Sequence, residues 1–203
     1  MSQAIGQGNA AAGPCEDYLA GLTDCVTRTL GASLVGLYLH GSAVQQDFDP
    51  VRSDVDVLGV VTQPPSDPQR AALAAGLAHD ARPVPGSGLD FILCSREAVA
   101  APSHNYRFEF AVSTGEGLPT EMEGPGIAGE ILIHAALCRS SGRALHGPPP
   151  EQVFAPVPRS LLCEGLLVEM EWHLGELARA PTEVAIRNAV LNAARSQFAA
   201  ETG

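Results

Sequence analysis

The 203-residue sequence contains no lysine, since all twelve of its basic residues are arginine. This absence excludes a Walker P-loop, which needs the lysine of its GK[ST] motif, and Schiff-base chemistry, which needs an amine side chain. It also excludes a protein kinase, because that class holds its phosphates with a strand lysine. Three enzyme classes are therefore set aside before any motif is considered.

Paired cysteines and long apolar runs are lacking as well. The five cysteines are dispersed, with no C-x-x-C pair and no histidine at zinc-binding spacing. No run approaches the roughly 18 apolar residues of a membrane span. The first residues do not show the basic region and apolar stretch of a signal peptide. We expect reduced thiols, no membrane association and a cytoplasmic protein.

Positive charge is scarce. Twelve arginines against 23 acidic residues give 12 − 23 = −11, which is unfavourable for following a phosphate backbone. We expect small-molecule partners rather than nucleic acid, and a monomer. Hydrophobic residues make up 45% of the chain, enough for a substantial core.

The distribution of apolar and turn-forming residues predicts two domains behind a flexible leader, residues 1–14. The first domain, 15–150, alternates helices and strands, and the proline-rich passage 147–158 marks its end. The second, 157–203, consists of helices and is expected to be truncated. Its first helix carries an apolar stripe through Leu162 and Leu166, and Met170 and Trp172 are expected in the core.

Within the first domain the periodicity predicts a small mixed sheet with helices around it. Asp67 is the expected cap of one helix, with Pro68 behind it. Residues 113–126, rich in glycine and proline, are expected to form a loop. The expected helices cover 15–30, the segment after Asp67, and 127–139, and the expected strands cover 33–40, 55–61, 89–94 and 106–112.

The segment LYLHGSAVQQDFDPVRSDVDVLGVV carries the chemistry. Alternate residues of a strand point to the same side with Cα atoms about 6–7 Å apart, so Asp54 and Asp56 direct two carboxylates to one place. Carboxylate oxygens are suitable ligands for Mg²⁺. An acidic pair inside an apolar run needs something to offset its burial, which a bound cation provides.

Two further features complete the pattern. Gly41 permits close approach of a phosphate, and a helix expected to begin at Ser42 offers free N–H groups. Asp90 lies inside the apolar strand GLDFILC, where it can complete the metal site or act as general base on an acceptor hydroxyl. Together these parts suit the transfer of a nucleotide from a triphosphate to a hydroxyl.

Each feature alone has an ordinary structural explanation. Gly-Ser is a common turn and helix cap, Ser-Asp-x-Asp often forms an Asx-turn at a strand start, and Asp90 can be a solvent-facing residue of an edge strand. The combination, with a strand at each motif, favours the functional interpretation.

The chain resembles the aminoglycoside nucleotidyltransferases, specifically the spectinomycin/streptomycin adenylyltransferase group of the polymerase-β-like superfamily. The resemblance covers about residues 15 to 203 and rests on HGSAV, SDVDVLGVV, the LDF strand, GRALHGPPPEQVFAPVP and RNAVLNAARSQFAAETG. It implies an α/β nucleotidyltransferase domain followed by an α-helical domain, and transfer of AMP from ATP to an antibiotic hydroxyl.

The resemblance also implies roles for individual residues. Asp54 and Asp56 would bind Mg²⁺, as two ions, and Asp90 would be the base and contact the acceptor. The other implied contacts are to the nucleotide, from Gly41, Ser42, Ser53, Glu130 and Arg195, and to the acceptor, from Asn192.

Three departures from the family pattern bear on these roles. The family usually has Glu where this chain has Asp90, which is shorter by one methylene. The tryptophan of streptomycin-accepting members is missing near Ser113, and Ala185-Ile186 replaces an acid before the RN pair, which favours spectinomycin. A lysine and a tyrosine of later helices would fall beyond Gly203. Two alternatives stay open: another acceptor, such as a protein hydroxyl, or a non-catalytic antitoxin-like module.

Overall fold

The computed structural model describes residues 12–44, 48–123, 125–127, 130–183, 185–186, 189–190, 193–194 and 197. Its helices are α1 (Ala12–Leu30), α2 (Asp67–Leu77), α3 (Arg96–Ala100), α4 (Glu130–Ser141), α5 (Pro150–Val153) and α6 (Arg159–Arg179). Its strands are β1 (Leu34–His40), β2 (Asp54–Val61), β3 (Gly88–Ser95), β4 (Arg107–Thr114), β5 (Glu121–Glu123), β6 (Gly126–Ile127) and β7 (Arg143–His146).

The strands form one mixed sheet in the order β5-β4-β3-β2-β1-β7, with β6 also paired to β4. Strands β2 and β3 run parallel, and the other pairs are antiparallel. A parallel pair needs a crossover, and α2 supplies it between β2 and β3. The predicted α/β class with a small mixed sheet is confirmed.

Helices cover both faces of the sheet, which explains why β2 is almost continuously apolar. On one face, Val55 and Val57 join the core cluster that contains the buried residues of α1 and α2. On the other, Leu58 and Val60 pack in the cluster of α4, whose buried residues include Ile131. The alternation of side chains along β2 therefore assigns each residue to one helical layer.

Helix α1 begins at Ala12, three residues before the predicted start of this helix, and the leader 1–14 stays a prediction. Residues 1–11 lie outside the described part of the chain. Pro14 falls in the first turn, where its missing N–H breaks no helical hydrogen bond.

The cap of α2 is Ser66, and the predicted cap, Asp67, is instead the first helical residue. The side chain of Gln69 accepts the Ser66 N–H at 2.9 Å. This reciprocal capping arrangement determines the start of the helix, with Pro68 inside its first turn.

Residues 113–126 are not one loop, contrary to the prediction. Strand β4 continues to Thr114, and β5 and β6 both pair with it. Backbone pairing along an available strand edge outweighs the high content of glycine and proline in this segment. The following helix begins at Glu130, three residues later than predicted.

The proline-rich passage 147–158 is anchored to the core. It contains α5 and the fully buried Phe154, whose ring meets that of Tyr38 edge-on at 5.0 Å. The Tyr38 hydroxyl donates to the Pro148 carbonyl at 3.0 Å, and the Ala155 N–H donates to the Val99 carbonyl at 2.9 Å. The division into two domains at this point stays a prediction.

Helix α6 packs on α4 through a stripe that differs from the predicted one. Its buried residues are Leu161, Gly165, Leu166 and His173. Trp172, predicted in the core, is 57% exposed. Within the described residues, no helix combines the length and the apolar character needed to cross a membrane.

Candidate functional site

Two acidic side chains stand at the start of β2. Asp54 is exposed, Asp56 is half-buried, and Val55 between them is buried on the opposite face of the sheet. Asp54 and Asp56 therefore continue the side of β2 that carries Leu58 and Val60, the side covered by α4.

Asp90 lies beside Asp56. Strands β2 and β3 pair in register without a bulge, and this register makes Asp56 and Asp90 direct partners. Neighbouring strands are about 4.8 Å apart, and partners in a parallel pair project to the same face. The sheet thus brings together two of the carboxylates that the sequence singled out, while Asp54 pairs with Gly88.

The Gly41-Ser42 segment follows β1 and forms a turn that lies against Asp56. Gly41 has φ +69°, and a Cβ there would collide with the Oδ2 atom of Asp56. The helix predicted to begin at Ser42 is only a single 3₁₀ turn, Gly41–Ala43, and no side chain caps it. A turn of this length has no appreciable dipole, and the nucleotide contacts predicted for Gly41 and Ser42 stay predictions.

Ser53, the other predicted triphosphate contact, stabilises the turn that leads into β2. Its hydroxyl accepts the backbone N–H of Asp49 at 3.0 Å, and its own N–H donates to the Asp49 carbonyl at 2.9 Å. The turn presents Asp54 at the open end of the strand.

Two serines that the sequence analysis missed bind the carboxylates. The hydroxyl of Ser87 donates to Oδ1 of Asp54, and that of Ser113 donates to Oδ1 of Asp90 at 2.7 Å. Ser113 is the partner of Asp90 across β3 and β4. The only signal in the sequence was the position of Ser87 in the Gly-Ser-Gly segment directly before β3.

The described part of the chain contains no group of three or more His, Cys, Asp or Glu side chains arranged to hold a metal ion. The prediction placed three carboxylates, of Asp54, Asp56 and Asp90, around shared cations. In the described structure Ser87 is hydrogen-bonded to Asp54 and Ser113 to Asp90, and the shared metal site stays a prediction. Mg²⁺ commonly takes only one or two protein carboxylates together with phosphate oxygens, which Asp54 and Asp56 can still provide.

A cavity of about 290 Å³ opens beside Asp54 and Asp90. Its walls combine carboxylates, hydroxyls and a small apolar patch, a mixture typical of sites that orient a polar ligand. The lining residues are Asp54, Ser87, Gly88, Leu89, Asp90, Ser113, Thr114, Leu118, Pro119 and Glu121.

A pair of histidines, the buried His40 and the half-buried His134, lies on the α4 side of the sheet. The rings of His40 and His134 meet at 5.0 Å, and their Nδ1 atoms have no hydrogen-bond partner among the described residues. Burial lowers the pKa of His40, and His134 lowers it further. Burial also lowers the pKa of His134, while Glu169 acts in the opposite direction. Both rings are therefore neutral at pH 7.

Three predicted contacts cannot be placed with the others. Glu130 begins α4, but its side chain is outside the described part of the structure. Asn192 and Arg195 lie outside the described residues. Their roles stay predictions.

The fold resembles that of a solved adenyltransferase. The spectinomycin adenyltransferase AAD(9) from Enterococcus faecialis, solved with ATP and spectinomycin, superposes with a TM-score of 0.67 at 16% identity, over 80% of this chain and 68% of that chain. The chain has a nucleotidyltransferase fold. At this identity the likeness shows the fold and not the activity or the substrate.

Other comparisons add nothing to this assignment. A toxin-antitoxin structure with AMP-PNP gives a TM-score of 0.35 at 12% identity, over 78% of this chain and 93% of that chain. A TM-score this low supports no conclusion about the fold or the function of this chain. No family model matches the sequence, and no curated protein matches it.

Proposed function

We propose that this chain is an adenylyltransferase that transfers AMP from ATP to a hydroxyl of an aminocyclitol or aminoglycoside antibiotic, with spectinomycin favoured over streptomycin. The observation that carries the proposal is the placement of Asp56 and Asp90 side by side on β2 and β3, with the Gly41 turn against Asp56. The fold likeness to an adenyltransferase solved with ATP and spectinomycin supports it.

The residues divide the chemistry between them. The carboxylate of Asp90 accepts the proton of the acceptor hydroxyl, whose oxygen then bonds to the α-phosphorus of ATP. The bond from this phosphorus to the β-phosphate bridging oxygen breaks, and pyrophosphate leaves. The Gly41 turn admits the phosphates because a side chain there would occupy the space next to Asp56.

Asp54 and Asp56 are the residues that would hold Mg²⁺. When bound, the ion neutralises charge on the triphosphate and favours departure of pyrophosphate. The donor set fits this assignment, since both residues offer hard carboxylate oxygens from one face of one strand.

The preference for spectinomycin rests on the sequence near the cavity. Residue 113 is a serine hydrogen-bonded to Asp90, in the segment where streptomycin-accepting members of the resembled group carry tryptophan. A small serine leaves no flat aromatic surface for an additional sugar ring to stack upon.

The test combines the protein with ATP, Mg²⁺ and either spectinomycin or streptomycin, and measures pyrophosphate release and the AMP adduct by mass spectrometry. We expect turnover with spectinomycin. Asp90→Asn should lower kcat/KM by about 100-fold or more, the usual range for loss of a general base. Asp56→Asn should abolish Mg²⁺-dependent ATP binding measured by calorimetry.

Asp24→Asn is the matched control, because Asp24 is exposed on α1 and should retain activity. ATP binding without turnover of either antibiotic would reject the antibiotic as acceptor and favour another hydroxyl. Absence of Mg²⁺-dependent ATP binding would reject catalysis altogether and favour an interaction module.

A further inference from the structure

Ser113 is placed to control Asp90. The two residues are direct partners across the antiparallel strands β3 and β4, and their side chains project to the same face. The Ser113 hydroxyl donates to Oδ1 of Asp90 at 2.7 Å, and both residues line the cavity. A hydroxyl that donates to a carboxylate holds both its rotamer and the direction of its other oxygen.

We propose that Ser113 is a positioning residue that fixes the rotamer of Asp90 and assigns Oδ2 as the oxygen that meets the acceptor hydroxyl. The inference rests on the proposed function, because it concerns the base of that reaction. By binding Oδ1, Ser113 leaves one defined oxygen for proton transfer.

The short side chain of Asp90 is the reason why its rotamer has to be fixed. An aspartate carboxylate turns about χ1 and χ2 close to the backbone, so a change of rotamer redirects both oxygens. Proton transfer requires an oxygen within about 2.6–3.2 Å of the hydroxyl. The hydrogen bond from Ser113 therefore orients the Asp90 carboxylate, and proton transfer from the acceptor depends on this orientation.

The same site has a matching contact at its other end. The Ser87 hydroxyl lies within hydrogen-bond distance of two acceptors, Oδ1 of Asp54 and the Arg52 carbonyl, the latter at 3.0 Å, and has one proton to share between them. Ser113 differs in that its partner is the proposed base, so its removal should affect turnover rather than nucleotide binding. This difference gives the inference a kinetic signature.

The experiment compares Ser113→Thr with Ser113→Val, two side chains of the same shape that differ by one hydroxyl. Both suit a strand because both are β-branched. We expect kcat with spectinomycin to be about tenfold lower for Ser113→Val than for Ser113→Thr, since a hydrogen bond to a charged group has this order of effect on rate. KM for ATP should be the same in the two variants, and Ser140→Ala, an exposed serine on α4, should match the unaltered protein.

Crystal structures of the two variants give a second measurement that does not depend on turnover. We expect Asp90 to keep its rotamer in Ser113→Thr and to change it in Ser113→Val. An unchanged rotamer in Ser113→Val overturns the inference, and so does equal kcat in both variants of a protein that turns over. Failure of the unaltered protein to release pyrophosphate rejects the proposed function instead, and the rotamer comparison still decides whether Ser113 positions Asp90.

Discussion

Gly41 has no room for a side chain, because the backbone of its turn lies against the carboxylate of Asp56. Gly31 offers a natural comparison, since it also has positive φ, +54°, but a Cβ there would have no heavy atom within 4 Å among the described residues. A comparison of alanine substitutions at the two glycines therefore separates the cost of backbone strain from the cost of a collision with Asp56.

We predict that Gly31→Ala costs about 1–2 kcal/mol of unfolding free energy, the usual cost of the left-handed conformation for a residue with a Cβ. Gly41→Ala should cost about 1–3 kcal/mol more, because it also overpacks against Asp56. Urea unfolding followed by circular dichroism measures both values. Only Gly41→Ala should also impair ATP binding, and equal costs with intact binding would contradict the close contact.

Residues of the site were predictable where one strand determines their relation. The spacing of Asp54 and Asp56 was enough to place them on one face, because alternation along a strand is local. The contacts of Ser87 and Ser113 were not predictable, since they depend on how β3 aligns with its neighbours. A shift of one residue in that register would move Ser113 away from Asp90.

Among the elements, the short helix α5 joins the proline-rich passage to both β1 and α4. It places Phe154 against Tyr38 of β1, and the guanidinium of Arg139, from α4, donates to the carbonyls of Glu151 and Phe154. The proline-rich composition predicts a domain boundary here, and these contacts join the passage to the core. Burial of a single aromatic residue overrides the local signal of three successive prolines.

We predict that Phe154→Ala lowers the unfolding free energy by about 3–5 kcal/mol, the usual loss for a fully buried aromatic residue. Leu174→Ala, at a position 60% exposed on α6, should change it by no more than about 0.5 kcal/mol. Urea titration of the two variants makes the comparison. Similar small losses in both would show that the passage 147–158 is a loose linker.

Elements with strong periodicity were predicted from the sequence, and those defined by pairing were not. The apolar runs of β1, β2 and β3 locate these strands to within about two residues, the usual uncertainty at element ends. Strand β5 is exposed at all three positions, so it carries no hydrophobic pattern and exists only through its pairing with β4. Trp172 shows the converse, because hydrophobic character alone does not determine which side of α6 is covered.

For the whole molecule, the histidine pair His40 and His134 links stability to pH. Burial holds the pKa of His40 and of His134 below the ordinary 6.5 in the folded protein. The unfolded chain therefore binds more protons than the folded chain once the pH falls below about 6.5, and stability decreases with acidification in that range. Above it both states are neutral and the contribution is fully present.

We predict that the melting temperature decreases as the pH is lowered from about 7.5 to about 5.5, before most carboxylates titrate. His134→Leu should make this decrease smaller, because it removes one of the two buried groups. His146→Gln, at an exposed position on β7, should leave the decrease unchanged. Differential scanning calorimetry at several pH values decides the matter, and identical pH profiles for all three proteins would contradict it.

The connection between β4 and β5 is held together by hydrogen bonds between its own residues. The hydroxyls of Thr114 and Thr120 lie 3.1 Å apart at its base, and the Leu118 N–H donates to the Gly115 carbonyl at 3.2 Å. It forms one wall of the cavity, whereas Asp56 and Asp90 are set by the pairing of β2 with β3. Replacement of residues 115–119, by evolution or by design, can therefore change which ligands the cavity accepts. The positions of Asp56 and Asp90 stay the same, because the pairing of β2 with β3 sets them.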